Sequence, residues 1–393
     1  MSPIAATPPT AARGPGPVKA GLHGAVYAAV RALAATTQVA GIDRSMHAMR
    51  ALGGGFARLP FNAERIERAK DNLRWCFPEW DEARVDQCAT EAYRHLFMLA
   101  VEVAAAPRLI AGDAYADYID IGELGISIPE LLKERPAVLV TGHSGNWEVL
   151  GSILAVLGVH MHALYRPLDL KPLDNWLRRT RAARGMTLLD KFGATQRIPK
   201  LMEDNAAIGF VADQNAGIRG LFVPYFDRLA SAYKAIGVSA IRYDAPVLCG
   251  QAVRLTGGSE SEIPVAHLDP DAGHEAHLFR YRLEITDVIL PEHWKAQPDP
   301  LFYITARYRR AIETMVRRHP EQYLWMHRYW KSRPRHEILR REFPERLKDK
   351  IRALPWMTER SLQRMIERSE IDAEDNARRE AERQRRRAAR DAR

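Results

Sequence analysis

The chain has 393 residues, 46% of them hydrophobic, with 58 Lys and Arg against 49 Asp and Glu for a formal charge of +9. That apolar content excludes a disordered chain and suffices for one large domain or two small ones, while the basic balance favours an anionic partner such as a phospholipid surface, an acidic carrier protein or nucleic acid. Three scattered cysteines, Cys76, Cys88 and Cys249, have no C-x-x-C spacing and read as buried thiols of a reducing compartment rather than a disulfide framework or a thiolate metal site.

Residues 1–18 are rich in Pro, Ala and Gly and read as a disordered tail. From Ala20 to Ile42 charge is low, and Leu22, Val26, Val30 and Leu33 fall on one helical stripe. Arg31 and abundant alanine make it a poor membrane span. An interfacial helix within residues 19–60, or one packed on the domain, fits better. Phe61 to Ala106 reads as helical, with Asn62 as a first cap and Pro78 as a break. Strand and helix signals then alternate. The strands are expected at Ala137–Thr141, His162–Arg166, Ala207–Val211, Pro246–Leu255 and Leu278–Ile285, with helices at Leu173–Arg184, Ile198–Asn205 and Tyr303–His319. This alternation predicts an α/β fold on a mixed, largely parallel central sheet flanked by helices. Residues 256–276 read as a long polar hairpin loop. After Pro334 the chain turns charged: eight arginines and five acids lie between Glu374 and Arg393, a solvated helix or a disordered tail.

The most informative stretch is Val138 to Glu148. A short apolar run ends at Thr141-Gly142, and an apolar helical segment starts at Trp147, so His143 and Glu148 stand at a strand-to-helix junction with His-x-x-x-x-Glu spacing. A histidine held by a carboxylate can take a proton from a hydroxyl near neutral pH. Gly142-His143-Ser144-Gly145-Asn146 falls one residue short of the G-x-S-x-G nucleophile elbow, which disfavours a Ser144 nucleophile. The small residues of this loop instead suit main-chain N–H groups approaching an oxyanion. Tyr165-Arg166-Pro167 and Asp213-Gln214 end two further strands, on the edge where α/β ligands sit. There Arg166 offers planar donors to an oxyanion or phosphate, and Asp213 is free to bond Arg166 or a sugar. Neither His160 with His162 nor His274 with His277 stands with a Cys or acidic ligand set at zinc spacing, and no G-x-x-x-x-G-K loop occurs.

His143 and Glu148, followed in order by Tyr165-Arg166-Pro167, Asp213-Gln214, Gly220 to Phe226 and Pro320 to Pro334, resemble the bacterial lipid A biosynthesis (lauroyl/myristoyl) acyltransferases of the glycerolipid acyltransferase superfamily. The resemblance covers roughly Phe61 to Pro334 and implies an acyltransferase domain over 61–336, with 337–393 as a charged tail. It implies that His143 is the base and Glu148 its orienting acid, that Arg166, Asp213 and Gln214 bind substrate, and that Gly220–Phe226, with Phe222, borders the acyl or acceptor site. Arg219 adds a phosphate-binding candidate. Where the family usually has F-F-G-x-x-A-x-T, this chain has Tyr225 to Ser231, with Asp227 suited to a left-handed turn in place of glycine. The family's closing block matches His327 to Pro334, whose aromatics read as core. The implied chemistry needs no cofactor or metal. An acyl-ACP or acyl-CoA thioester is the donor, an anionic glycolipid resembling a lipid A precursor the acceptor, and the cytoplasmic face of the bacterial inner membrane the location, with no nucleic-acid role. A mycobacterial branch that acylates mannosylated phosphoinositol shares an H-S-G-N-W-D pattern. A thioesterase, or a basic binding protein on an inactive scaffold, are the rival readings.

Overall fold

The computed structural model describes residues 41–391 apart from 111, 123, 126, 169, 183–186, 191–192 and 256–277, together with scattered helical positions within 21–40. The expected tail at 1–18, the side chains of Leu22, Val26, Val30 and Leu33, His274, His277 and the expected loop at 256–276 lie outside the described residues.

Three helices come first: α1 (Ile42–Ala57), α2 (Ala63–Cys76) and α3 (Glu82–Leu109). Asn62 precedes α2 as expected, but its side chain accepts from the Tyr93 hydroxyl (2.9 Å) rather than capping the helix, whereas Asp81 caps α3 through the Arg84 N–H (2.8 Å). The alternating region follows as β1 (Ile119–Asp120), α4 (Ser127–Leu131), β2 (Ala137–Thr141), α5 (Trp147–Val156), β3 (Met161–Tyr165), α6 (Lys171–Ala182), β4 (Thr187–Asp190), α7 (Ala194–Glu203), β5 (Ala207–Val211), β6 (Leu221–Tyr225), β7 (Arg228–Ala232), α8 (Lys234–Tyr243), β8 (Val247–Arg254) and β9 (Tyr281–Ile289). The chain continues through α9 (Pro291–Lys295), α10 (Pro300–Arg318), α11 (Arg335–Ile338), α12 (Glu345–Arg352) and α13 (Glu359–Asp391).

Seven strands form one sheet in the order β1-β9-β8-β2-β5-β3-β4, parallel throughout except for the antiparallel β8–β9 pair. The expected mixed, mostly parallel sheet is thus observed. Its central strands are short apolar runs because helices cover both faces. Val138, Val140, Ile208 and Phe210 point into one core with Ile236 of α8 and Ile304 and Ile312 of α10. Ala137, Leu139 and Ala207 point into the other, with Met46 of α1, Met98 of α3 and Val149 and Ile153 of α5. Cys76, Cys88 and Cys249 are free and buried.

Two elements differ from expectation. Gly220–Phe226 is not a plain loop: β6 and β7 form an antiparallel hairpin turned by Phe226 and Asp227, both left-handed at φ 52° and 50°. Two consecutive positive φ values match the twist of tight hairpins, and asparagine or glycine is the usual occupant. Here Phe226 is held in that conformation by its N–H on Glu313 Oε2 (2.7 Å) and its carbonyl on the Trp75 indole (3.0 Å). The charged tail is helical to Asp391, and ahead of Glu374 one face of that helix is packed on the protein: Leu362, Met365, Ser369 and Asp372 are buried. Among the described residues no helix is long and apolar enough to cross a membrane.

Candidate active site

The site is set by strand register. Parallel pairing runs from Ala137↔Ala207 to Thr141↔Val211, and the Ala212 N–H extends it by bonding the Thr141 carbonyl (2.8 Å). Two residues past each strand, His143 therefore faces Asp213. The His143 Nδ1 lies 2.7 Å from Asp213 Oδ1, and its main-chain N–H donates to Oδ2 at 3.1 Å. Asp213 is fully buried and His143 partly exposed. Burial alone would raise the Asp213 carboxyl, but the charge and hydrogen bonds of His143, with Arg309 nearby, outweigh it and hold it down to about 2. A carboxylate that stays ionised only accepts, so Nδ1 carries a proton, and in the neutral imidazole the lone pair is on Nε2. The Gln214 amide nitrogen is 3.4 Å from that Nε2, and the indole edge of Trp147 stands against the ring, with centroids 4.7 Å apart.

This geometry corrects the expected His143–Glu148 pairing. Glu148 is in the first turn of α5, and Arg181 of α6 grips its carboxylate with two donors, Nε on Oε2 at 2.8 Å and Nη2 on Oε1. The four-residue spacing delivers Glu148 to a guanidinium, while the neighbouring strand delivers the carboxylate to the imidazole. Asp213 accordingly is not free to bond Arg166 or a sugar. Its own carbonyl accepts from Arg309 Nη1 (2.5 Å), a fully buried arginine laid 3.9 Å over the Tyr225 ring.

The loop between β2 and α5 is fixed from two sides. The Gly145 N–H donates to the Gln322 carbonyl (2.9 Å), the Leu324 N–H to the His143 carbonyl (3.2 Å), and the Asn146 N–H to the Ala252 carbonyl (2.7 Å). Gly145 adopts φ +59°, where a Cβ would come within 2.2 Å of the Ala252 oxygen, so only glycine fits. Asn146 caps α5 by accepting from the Glu148 and Val149 N–H groups (3.1 and 3.0 Å). The Gly145 and Asn146 N–H groups are therefore bonded within the protein and are not the oxyanion donors among those expected of the loop. Ser144 is fully buried with its hydroxyl on Gln251 Oε1 (2.8 Å), which removes it as a nucleophile.

Behind the loop lies a buried charged cluster that sequence reasoning did not single out. Arg254 donates to Glu102 Oε1 (2.6 Å) and to His95 Nδ1 (2.8 Å), the His95 Nε2–H donates to the Gly145 carbonyl (3.0 Å), and the Asn146 amide donates to Glu102 Oε2 (2.6 Å). Burial, and then the Arg254 charge, push His95 well below the usual histidine range, so it stays neutral and holds the loop with a fixed tautomer. The one sequence signal was a histidine and a glutamate seven residues apart, two turns of the same helix.

Among the other expected site residues, Arg166 and Arg219 are exposed, Gln214 is half-buried beside His143, and Phe222 is half-buried on β6. His327 lies close enough for its protonation to respond to Asp213 and His143, with burial lowering its pKa first. Trp325, Tyr329 and Trp330 of the closing block are core residues, and Arg333 is buried on Glu337 (2.5 Å).

The sequence model for bacterial lipid A biosynthesis acyltransferases matches residues 26–273, well over half of the chain, and the protein belongs to that family as an acyltransferase. A lipid A biosynthesis palmitoleoyltransferase of Escherichia coli (strain K12) is 27% identical over 282 residues, covering 72% of this chain and 83% of the relative. A lipid A biosynthesis acyltransferase of Shigella flexneri matches with the same identity and coverage.

Proposed function

We propose that the protein transfers a fatty acyl group from an acyl-ACP or acyl-CoA thioester to a hydroxyl of an anionic glycolipid of the lipid A type, working peripherally at the cytoplasmic face of the inner membrane. The observation that carries this reading is the 2.7 Å contact between His143 Nδ1 and the ionised Asp213, on adjoining strand ends of a lipid A acyltransferase fold. The acceptor hydroxyl donates to His143 Nε2 and its oxygen attacks the thioester carbonyl. Asp213 steadies the imidazolium, which then returns the proton to the departing thiolate. The products are an oxygen ester and a free thiol, and no cofactor enters the balance. Exposed Arg166 and Arg219 supply donors for lipid phosphates, and Phe222 supplies apolar wall for the acyl chain. Glu148 contributes through Arg181, tying the start of α5 to α6, rather than through the imidazole.

The test incubates the protein with radiolabelled palmitoleoyl-CoA, with and without envelope lipid extract. Label is expected in a lipid ester only when extract is present, and His143→Ala should abolish it while the circular dichroism spectrum is unchanged. Rapid release of free fatty acid, indifferent to added lipid, would replace transfer by thioester hydrolysis.

A further inference from the structure

The thioester carbonyl that His143 helps to attack develops a negative oxygen, and an enzyme of this kind needs a donor for it. Five N–H groups of the motif loop are already engaged. Its His143, Gly145 and Asn146 N–H groups are bonded to Asp213, Gln322 and Ala252, and those of Glu148 and Val149 to the Asn146 side chain. Ser144 is fully buried. On the β5 side, Asn215 is also occupied: its amide donates to Ser332 Oγ (3.1 Å) and its carbonyl accepts from the Ser332 N–H (3.2 Å). Gln214, between Asp213 and Asn215, differs from its neighbours. It is half-buried, and among the described residues its amide nitrogen has one hydrogen-bond contact, 3.4 Å from His143 Nε2. That is near the outer limit of a hydrogen bond, so the contact is weak and easily exchanged.

We propose that Gln214 is a catalytic residue, the side-chain oxyanion donor of the acyl transfer. The inference rests on the base assignment above. At rest the carboxamide N–H occupies Nε2. The acceptor hydroxyl displaces it and takes roughly 2.8 Å from Nε2 as its own position. The tetrahedral carbon is bonded to that hydroxyl oxygen, so the oxyanion forms two bonds from it, on the same carbon and beside the displaced amide. The carboxamide then turns its N–H onto the oxyanion while the imidazolium holds the proton. Collapse expels the thiolate, which recovers that proton, and the oxyanion becomes the ester carbonyl. The neutral carboxamide neither gains nor loses a proton.

The experiment compares wild type, Gln214→Met, Gln214→Glu and His143→Ala with palmitoleoyl-CoA at saturating envelope lipid extract, following kcat, KM for the thioester and the pH–rate profile. Gln214→Met keeps length and removes the donor, so its kcat should fall about 10²–10³-fold, the usual loss for one oxyanion donor. Its KM should stay within about threefold, and the acid limb of its profile should remain in place, because the base is intact. Gln214→Glu should lose more wherever its carboxylate is ionised and faces the oxyanion. A kcat for Gln214→Met near that of wild type, a loss confined to KM, or a displaced acid limb would each overturn the proposal, the last by making Gln214 a tuner of His143. If His143→Ala also retained turnover, the base reading itself would fall; an inactive His143→Ala beside an active Gln214→Met would remove only the role of Gln214.

Discussion

Two buried aspartates anchor this molecule, and they are built to opposite ends. Asp213 receives one imidazole and a main-chain N–H on its carboxylate, and that imidazole, partly exposed, keeps its Nε2 off the carboxylate. Asp372, on α13, receives three guanidiniums: two donors from Arg228 at the start of β7 (2.7 and 2.6 Å), Arg333 (2.7 Å) and Arg368 (2.9 Å). Arg333 also grips Glu337, whose carboxylate accepts from Ser369 (2.7 Å). Saturation with permanent cations leaves Asp372 nothing to exchange. An imidazole partner, which can carry or release a proton, gives Asp213 a proton to manage. The same side chain at similar burial is thus a chemical element in one place and a clamp in the other, and the partner decides which.

The sharpest way to break the comparison is to replace each carboxylate. Asp213→Asn should cost about 10²–10⁴ in kcat with little change of fold, because an amide can donate to Nδ1 and so trap the wrong tautomer. Glu148→Gln, measured alongside, should cost less than about tenfold, since the imidazole is held elsewhere. The reverse ranking would restore Glu148 as the orienting acid. Asp372→Ala should leave kcat per folded molecule near that of wild type but lower stability by about 3–5 kcal/mol, read from a urea melt, because it strands buried guanidiniums. A catalytic loss with stability retained would erase the distinction between the two aspartates.

The smallest expected effect concerns acid. The Asp213 carboxyl is lowered in the folded state, from 3.8 to about 2, so its contribution to stability is present above the ordinary value and fades as pH falls through that window. His95 is likewise lowered from 6.5, so the unfolded chain takes up its proton first and folding weakens as pH drops below that value. Urea midpoints should therefore decline in two stages. His95→Gln should shrink the upper stage, to which His162, His327 and His336, also lowered by burial, contribute as well, and a midpoint that is flat between pH 7 and 5 would contradict the burial argument.

Much of this was legible in the residues, and what was not has a physical reason. β2 and β5 have their expected ends because strands buried on both faces are short continuous apolar runs bounded by turn residues. The contact between His143 and Asp213 was visible only as two strand ends, since pairing register is a property of the sheet and the motif spacing favoured the nearer acid. β4 escaped as a short edge strand, and the β6–β7 hairpin because Pro224 interrupts one arm and the turn is made by Phe226 and Asp227 rather than by asparagine or glycine. Asp372 and its arginines escaped because ion pairs join residues 144 positions apart, and a charged helix looks solvated until its partners are known.

The matched pairing of Ala137 through Thr141 with Ala207 through Val211 has one more consequence. Neither half of the reactive couple is adjustable on its own, because each is rigidly continuous with a strand. A slip of one residue between those strands would carry Asp213 past the imidazole and turn Val138 and Val140 toward the opposite core. Turnover is therefore a proofreading signal for assembly: a molecule able to abstract the proton has already laid its two central strands in step. Deletions inside either run should extinguish activity at a length change too small to prevent collapse of the chain.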